Sequence, residues 1–133
     1  MNKSLFVLFI VLTCLFPSSK KGKFKVIGER SNNIGEFIYE KDSSKVFVFQ
    51  FVNVGDSLLS IADVIPSCPC MDVSWSCEPL APRDTGLIYV VYHVQHPGHF
   101  KNMLTVLGDG FPEWDYIYVE GTAMIEPSNV FWF

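Results

Sequence analysis

The sequence predicts an all-β domain, a two-sheet sandwich of roughly seven or eight short strands. Three observations carry this prediction. Short apolar runs recur between clusters of turn residues, and eight prolines and nine glycines supply the turns. Twelve phenylalanines and five tyrosines favour a pleated, half-buried surface. From Ile34 onward no stretch keeps a sustained helical period. With 133 residues, 49% of them hydrophobic and 18% charged, the chain fits one domain with its own core.

The elements follow in order. Residues 20–33 are polar and basic and read as a linker with one edge strand over Phe24–Ile27. Ile34–Glu40 is the first strand of the sandwich proper, and Lys41-Asp42-Ser43-Ser44 turns it. Val46–Val52 is apolar on both faces apart from Gln50, which predicts a central strand covered on both sides. Asn53-Val54-Gly55-Asp56 is a tight turn. In Leu58–Ile65 the apolar phase slips near Ala62-Asp63, the mark of a bulge. Pro66–Pro82 is rich in loop residues, with room for a short strand at Met71–Trp75. Gly86–His93 is a strong strand, and Gln95-His96-Pro97-Gly98 turns it into Lys101–Leu107. Tyr116–Gly121 alternates, with Ile117 and Val119 inward, and Thr122–Ile125 extends it or starts a last strand. The sandwich then covers 34–126, and 127–133 is a tail ending in Val130-Phe131-Trp132-Phe133.

Residues 1–19 read as an export signal. Lys3 precedes an unbroken apolar run from Leu5 to Leu12. Even extended to Phe16, that run falls short of the roughly 20 residues a membrane-spanning helix needs. Two endings stay open. Pro17-Ser18-Ser19 offers small residues for cleavage, and Leu12-Thr13-Cys14 loosely matches a lipoprotein signal in which Cys14 would be lipidated. Either one places the mature domain in the periplasm or at the cell surface. Membrane contact would then come only through an N-terminal lipid. The formal net charge is −4, and loss of 1–19 removes one lysine and no acid. An acidic domain of this kind does not suit nucleic acid, whose binding needs a basic face.

A set of short pieces recurs in a recognisable order: Ile34-Gly35, Phe49-Gln50-Phe51-Val52-Asn53-Val54-Gly55-Asp56, Leu59-Ser60-Ile61 and Ser67-Cys68-Pro69-Cys70. Leu80-Ala81-Pro82, Gly86-Leu87-Ile88, Pro97-Gly98-His99-Phe100 and Glu120-Gly121 complete it. In this the chain resembles the bacterial secreted proteins grouped as domain of unknown function 1573. The resemblance implies an immunoglobulin-like sandwich related to the major-sperm-protein type, in an exported protein. It implies no activity, since that family has none established. Two departures stand out: Pro69 replaces the usual glycine between the cysteines, and Arg83 replaces the usual glycine after Pro82.

Candidate chemistry centres on Cys68, Cys70 and Cys77. Export implies an oxidising compartment, so the expected arrangement is a disulfide from Cys77 to Cys68 or Cys70, clipping the long loop. A Cys68–Cys70 bridge is the more strained alternative. A second reading is a thiol-redox or soft-metal site, with His96 and His99 adding imidazoles to the three thiols and His93 completing a three-residue spacing. Pro97-Gly98 breaks that spacing into a turn, so the histidines need not converge. Neither G-x-S-x-G nor H-E-x-x-H occurs, and Asp109, Glu113 and Asp115 read as a solvated turn, with calcium binding a minor alternative. The sequence therefore points away from an enzyme and a cofactor. It points towards an exported module that recognises an unidentified protein partner through loops or a strand edge.

Overall fold

The computed structural model describes residues 21–40, 43–110 and 113–126. Residues 1–19, expected to be an export signal, with Cys14, and the aromatic tail 127–133 lie outside the described residues. Eight strands follow one another: β1 (Phe24–Val26), β2 (Ser31–Ile38), β3 (Ser44–Asn53), β4 (Ile61–Pro66), β5 (Met71–Trp75), β6 (Thr85–His93), β7 (Gly98–Gly108) and β8 (Trp114–Met124). They form two four-stranded sheets, ordered β1-β3-β6-β5 and β2-β8-β7-β4. The predicted all-β sandwich is the fold. The slip of phase near Ala62-Asp63 is a register shift between Ile61 and Asp63 in the β4–β7 pair.

Alternation along each strand sorts the side chains. On β3, Phe47, Phe49 and Phe51 point into the core while Val46, Val48 and Gln50 point out. Ile88 and Val90 face them from β6, and Leu104, Val106, Ile117 and Val119 close the core from the other sheet. Phe100 stacks on Tyr92 with centroids 4.2 Å apart and meets Phe47 edge-on at 6.3 Å, tying the two sheets together.

The edge strand expected over Phe24–Ile27 is present as β1, Phe24–Val26. Phe24 and Val26 are buried and Lys25 is exposed between them, so β1 is a true edge strand laid antiparallel on Phe51–Asn53. At Gly28, whose φ of +88° suits glycine, the chain leaves the first sheet. It re-enters the second sheet as β2, paired parallel with β8. Arg30, just before β2, forms an ion pair with the buried Asp115 of β8.

One pole of the sandwich is organised by Asn53, which has no exposed surface. Its Nδ2 donates to the Ser57 carbonyl at 2.7 Å and the Leu80 carbonyl at 2.9 Å. Its Oδ1 accepts from the Lys23 N–H at 3.0 Å and the Gly55 N–H at 2.9 Å. Its backbone carbonyl takes the Arg83 N–H at 2.7 Å. One buried amide thus fastens the chain before β1, the turn after β3 and the loop before β6, with every side-chain donor and acceptor lobe used.

Candidate functional site

The three cysteines separate into a pair and a single thiol. Cys68 and Cys70 are joined by a disulfide across Pro69, and Cys77 is free and exposed. The expected loop clip through Cys77 is not formed. The short strand the sequence allowed at Met71–Trp75 explains why. As β5 it is held extended against β6, which carries Cys77 roughly 15–20 Å along the strand from Cys70. The bridge sits where the chain crosses from β4, an edge of one sheet, to β5, an edge of the other.

That corner is already fastened by its backbone. The Ser67 N–H donates to the Met103 carbonyl at 2.9 Å, and the His93 N–H to the Cys70 carbonyl at 2.8 Å. A loop this short gains roughly 1.5 kcal/mol from closure, against about 2.5 kcal/mol for a clip to Cys77. Cys70 is 8% exposed and Cys68 is half-buried. The Cys70 N–H donates to Cys68 Sγ at 3.1 Å. Beneath the corner, Met71 and Tyr92 face each other across β5 and β6. Burial pushes the Tyr92 hydroxyl above its ordinary pKa, against the opposing pull of a hydrogen bond with Asn102.

The histidines do not join the cysteines. His93 lies on the outer face of the first sheet, its Nε2 2.6 Å from Asp72 Oδ2 on β5. His99 lies on the outer face of the second, its Nε2 3.2 Å from Glu120 Oε1 and its Nδ1 3.2 Å from Thr122 Oγ1. His96 is exposed in the turn between them. Alternation puts His93 and His99 on opposite sides of the sandwich, and the described residues contain no cluster of metal-ligating side chains. The acidic residues near Gly110 also have separate structural uses: Asp109 Oδ1 accepts the Ser60 N–H at 2.8 Å, and Asp115 pairs with Arg30.

A second feature escaped sequence reasoning. β3 was expected to be covered on both faces, yet Val46 is 59% and Val48 45% exposed. β3 has ten residues, but β1 pairs only with Phe51, Val52 and Asn53, and the Ile27 N–H reaches the Gln50 carbonyl at 2.8 Å. The sheet switch at Gly28 then takes the chain away, so among the described residues no strand pairs with this side of β3 from Ser44 to Phe49. Backbone polar groups alternate in direction along an antiparallel strand. Since Gln50 points its carbonyl to this side, so do Val48 and Val46. The Val48 carbonyl takes a side-chain donor, Asn32 Nδ2, at 3.3 Å. Beside this edge lies a groove of about 380 Å³ lined by Ile27, Glu29, Asn32, Val48, Phe49 and Gln50, among others. Tyr89, Val91 and Leu87 lie opposite Val48, Val46 and Gln50 on β6, so the outer face beside the edge is apolar. The two-sided apolar pattern of Val46–Val52 was the available signal, and it reads equally as a strand awaiting cover.

Solved structures place this architecture among known sandwiches. A protein of unknown function from Porphyromonas gingivalis aligns with a TM-score of 0.65 at 11% identity, over 80% of this chain and 49% of its own. The VesB protease of Vibrio cholerae aligns at 0.59 and 12% identity, over 84% of this chain and 35% of its own. The seventh PapD-like domain of human CEP192 aligns at 0.53 and 12% identity, over 84% of this chain and 90% of its own. The chain thus spans half or less of the first two proteins, and at these identities the likeness is one of fold, an immunoglobulin-type sandwich. Among curated proteins no sequence matches. The profile of a family described as a protein of unknown function, DUF1573, matches residues 26–123, from the end of β1 almost to the end of β8, and the chain belongs to that family.

Proposed function

We propose that the chain is a non-catalytic, exported protein-interaction module of the bacterial envelope that takes up an extended segment of a partner protein along the open edge of β3. The observation that carries this reading is the strand edge at Val46 and Val48, which no described strand covers and where a single side chain, Asn32, reaches the backbone, flanked by the apolar outer face of Val46, Val48, Tyr89 and Val91. An extended peptide with alternating apolar side chains satisfies both at once. Its backbone completes the ladder, and every second side chain covers the exposed valines. An edge of this kind is a hazard in a protein with no occupant for it. Export is supported by the apolar run behind Lys3 and by a bridged cysteine pair, which suits an oxidising compartment.

The test is affinity capture from envelope extracts with the mature domain and with a Val46→Lys, Val48→Lys double variant. Both positions point outward, so the variant keeps its core. A partner retained by the unaltered domain and lost by the variant supports the reading. Equal capture by both overturns the edge as the binding surface. Mass spectrometry of the mature N-terminus checks the compartment: a chain that keeps Met1–Leu12 is not exported by this signal.

A further inference from the structure

We propose that the Cys68–Cys70 bridge is a thiol–disulfide exchange site, a two-electron acceptor for a dithiol carried by another protein. Four observations lead there. The bridge closes only the three residues Cys68-Pro69-Cys70, so it constrains the unfolded chain little. Backbone bonds from Ser67 to Met103, from Met71 to Cys68 and from His93 to Cys70 hold the corner without it. The two cysteines of the corner differ in exposure, with Cys68 half-buried and Cys70 buried. The Cys70 N–H points at Cys68 Sγ from 3.1 Å, where it would stabilise negative charge on that sulfur.

The chemistry balances as follows. A thiolate of the partner attacks Sγ of Cys68, the more exposed of the two residues. The Cys68–Cys70 bond breaks, and its electron pair passes to Cys70 Sγ, which takes a proton from solvent. The partner is now held to Cys68 by a mixed disulfide. Its second thiolate attacks its own linked sulfur, forming the partner's disulfide and expelling Cys68 as a thiolate. The Cys70 N–H faces that leaving sulfur, which eases the departure. The partner has lost two electrons and two protons, and the bridge has become two thiols. Cys77, separated from the bridge by the length of β5, takes no part and serves as an internal reference thiol.

The experiment is native-state reduction of the full chain by dithiothreitol, with thiols alkylated and mapped by peptide mass, followed by reoxidation with oxidised glutathione. Near-UV circular dichroism is recorded throughout. The expected result is that Cys68 and Cys70 become labelled while the dichroism stays native, and that oxidised glutathione restores the bridge. A bridge that opens only when the chain unfolds overturns the proposal. The single variants check the order of events. In Cys70→Ser the remaining Cys68 thiol forms a mixed disulfide with an aromatic disulfide probe, and in Cys68→Ser the buried Cys70 does so slower by about tenfold or more. Equal rates would overturn the assignment of Cys68 as the attacked sulfur. The Val46→Lys, Val48→Lys variant leaves these rates unchanged, which keeps this outcome separate from that of partner capture.

Discussion

Arg83 sits at the one position among the described residues where a side chain other than glycine adopts positive φ, +73°. The backbone there is held from two sides, by the Arg83 N–H on the Asn53 carbonyl and by the Asp84 N–H on the Ala81 carbonyl at 3.0 Å. The left-handed conformation costs an L-residue about 1–2 kcal/mol, and the surrounding hydrogen bonds over-determine it. The usual glycine of the family pattern would therefore be the relaxed choice, and Arg83→Gly is expected to stabilise the domain by about 1 kcal/mol, less a part returned to the more flexible unfolded chain. Thermal and urea unfolding would measure it. Tyr92 gives a second expectation. Its folded pKa lies above the ordinary value near 10, so its contribution is fully present below pH 10 and is lost as pH rises towards the folded pKa. Between about pH 8 and pH 11 the urea midpoint should fall more steeply for the unaltered chain than for Tyr92→Phe. Parallel slopes would show that the hydroxyl is not the group concerned.

Among the elements, legibility tracked alternation. Ile117 and Val119 are both fully buried, as the period-two pattern of β8 requires. β5 is read to the residue as Met71–Trp75. Reading failed where burial depends on what lies beside a strand. The pattern of β3 could not show that β1 would stop after Val26 and leave half of its partner uncovered. The bend at Gly28 is one residue of positive φ in a stretch that reads as polar linker, and it decides which sheet each half of the leading strand joins. The cysteine pairing failed for a related reason. Composition counts thiols, but the separation of Cys70 from Cys77 is fixed by the hydrogen bonds of β5 to β6, a contact between distant parts of the chain. Asn53, read as the start of a tight turn, is the last residue of β3, and nothing local announces that its amide fastens Lys23 and Leu80.

For the molecule as a whole, the β-sandwich was legible as a class, while both candidate sites arise from where strands end. The edge and the corner lie on different strands, and backbone hydrogen bonds hold the corner apart from the bridge, so recognition and exchange can be tested independently. The parallel pairing of β2 with β8 has a mechanical consequence. The described chain enters at one pole, beside Asn53, and leaves at the other, beside Tyr39, whose N–H meets the Met124 carbonyl at 2.7 Å. Tension applied between an anchored N-terminal side and a load on the C-terminal side pulls β2 and β8 in opposite directions along their shared axis. Their ladder, together with the Arg30–Asp115 pair, is then strained in shear, with many bonds loaded together, whereas peeling would break them one at a time. Single-molecule stretching through residues 21 and 126 should therefore need a higher force than stretching through residues 40 and 126, which draws the adjacent ends of β2 and β8 apart. A domain held at its N-terminal side would in this way carry load through β2 and β8.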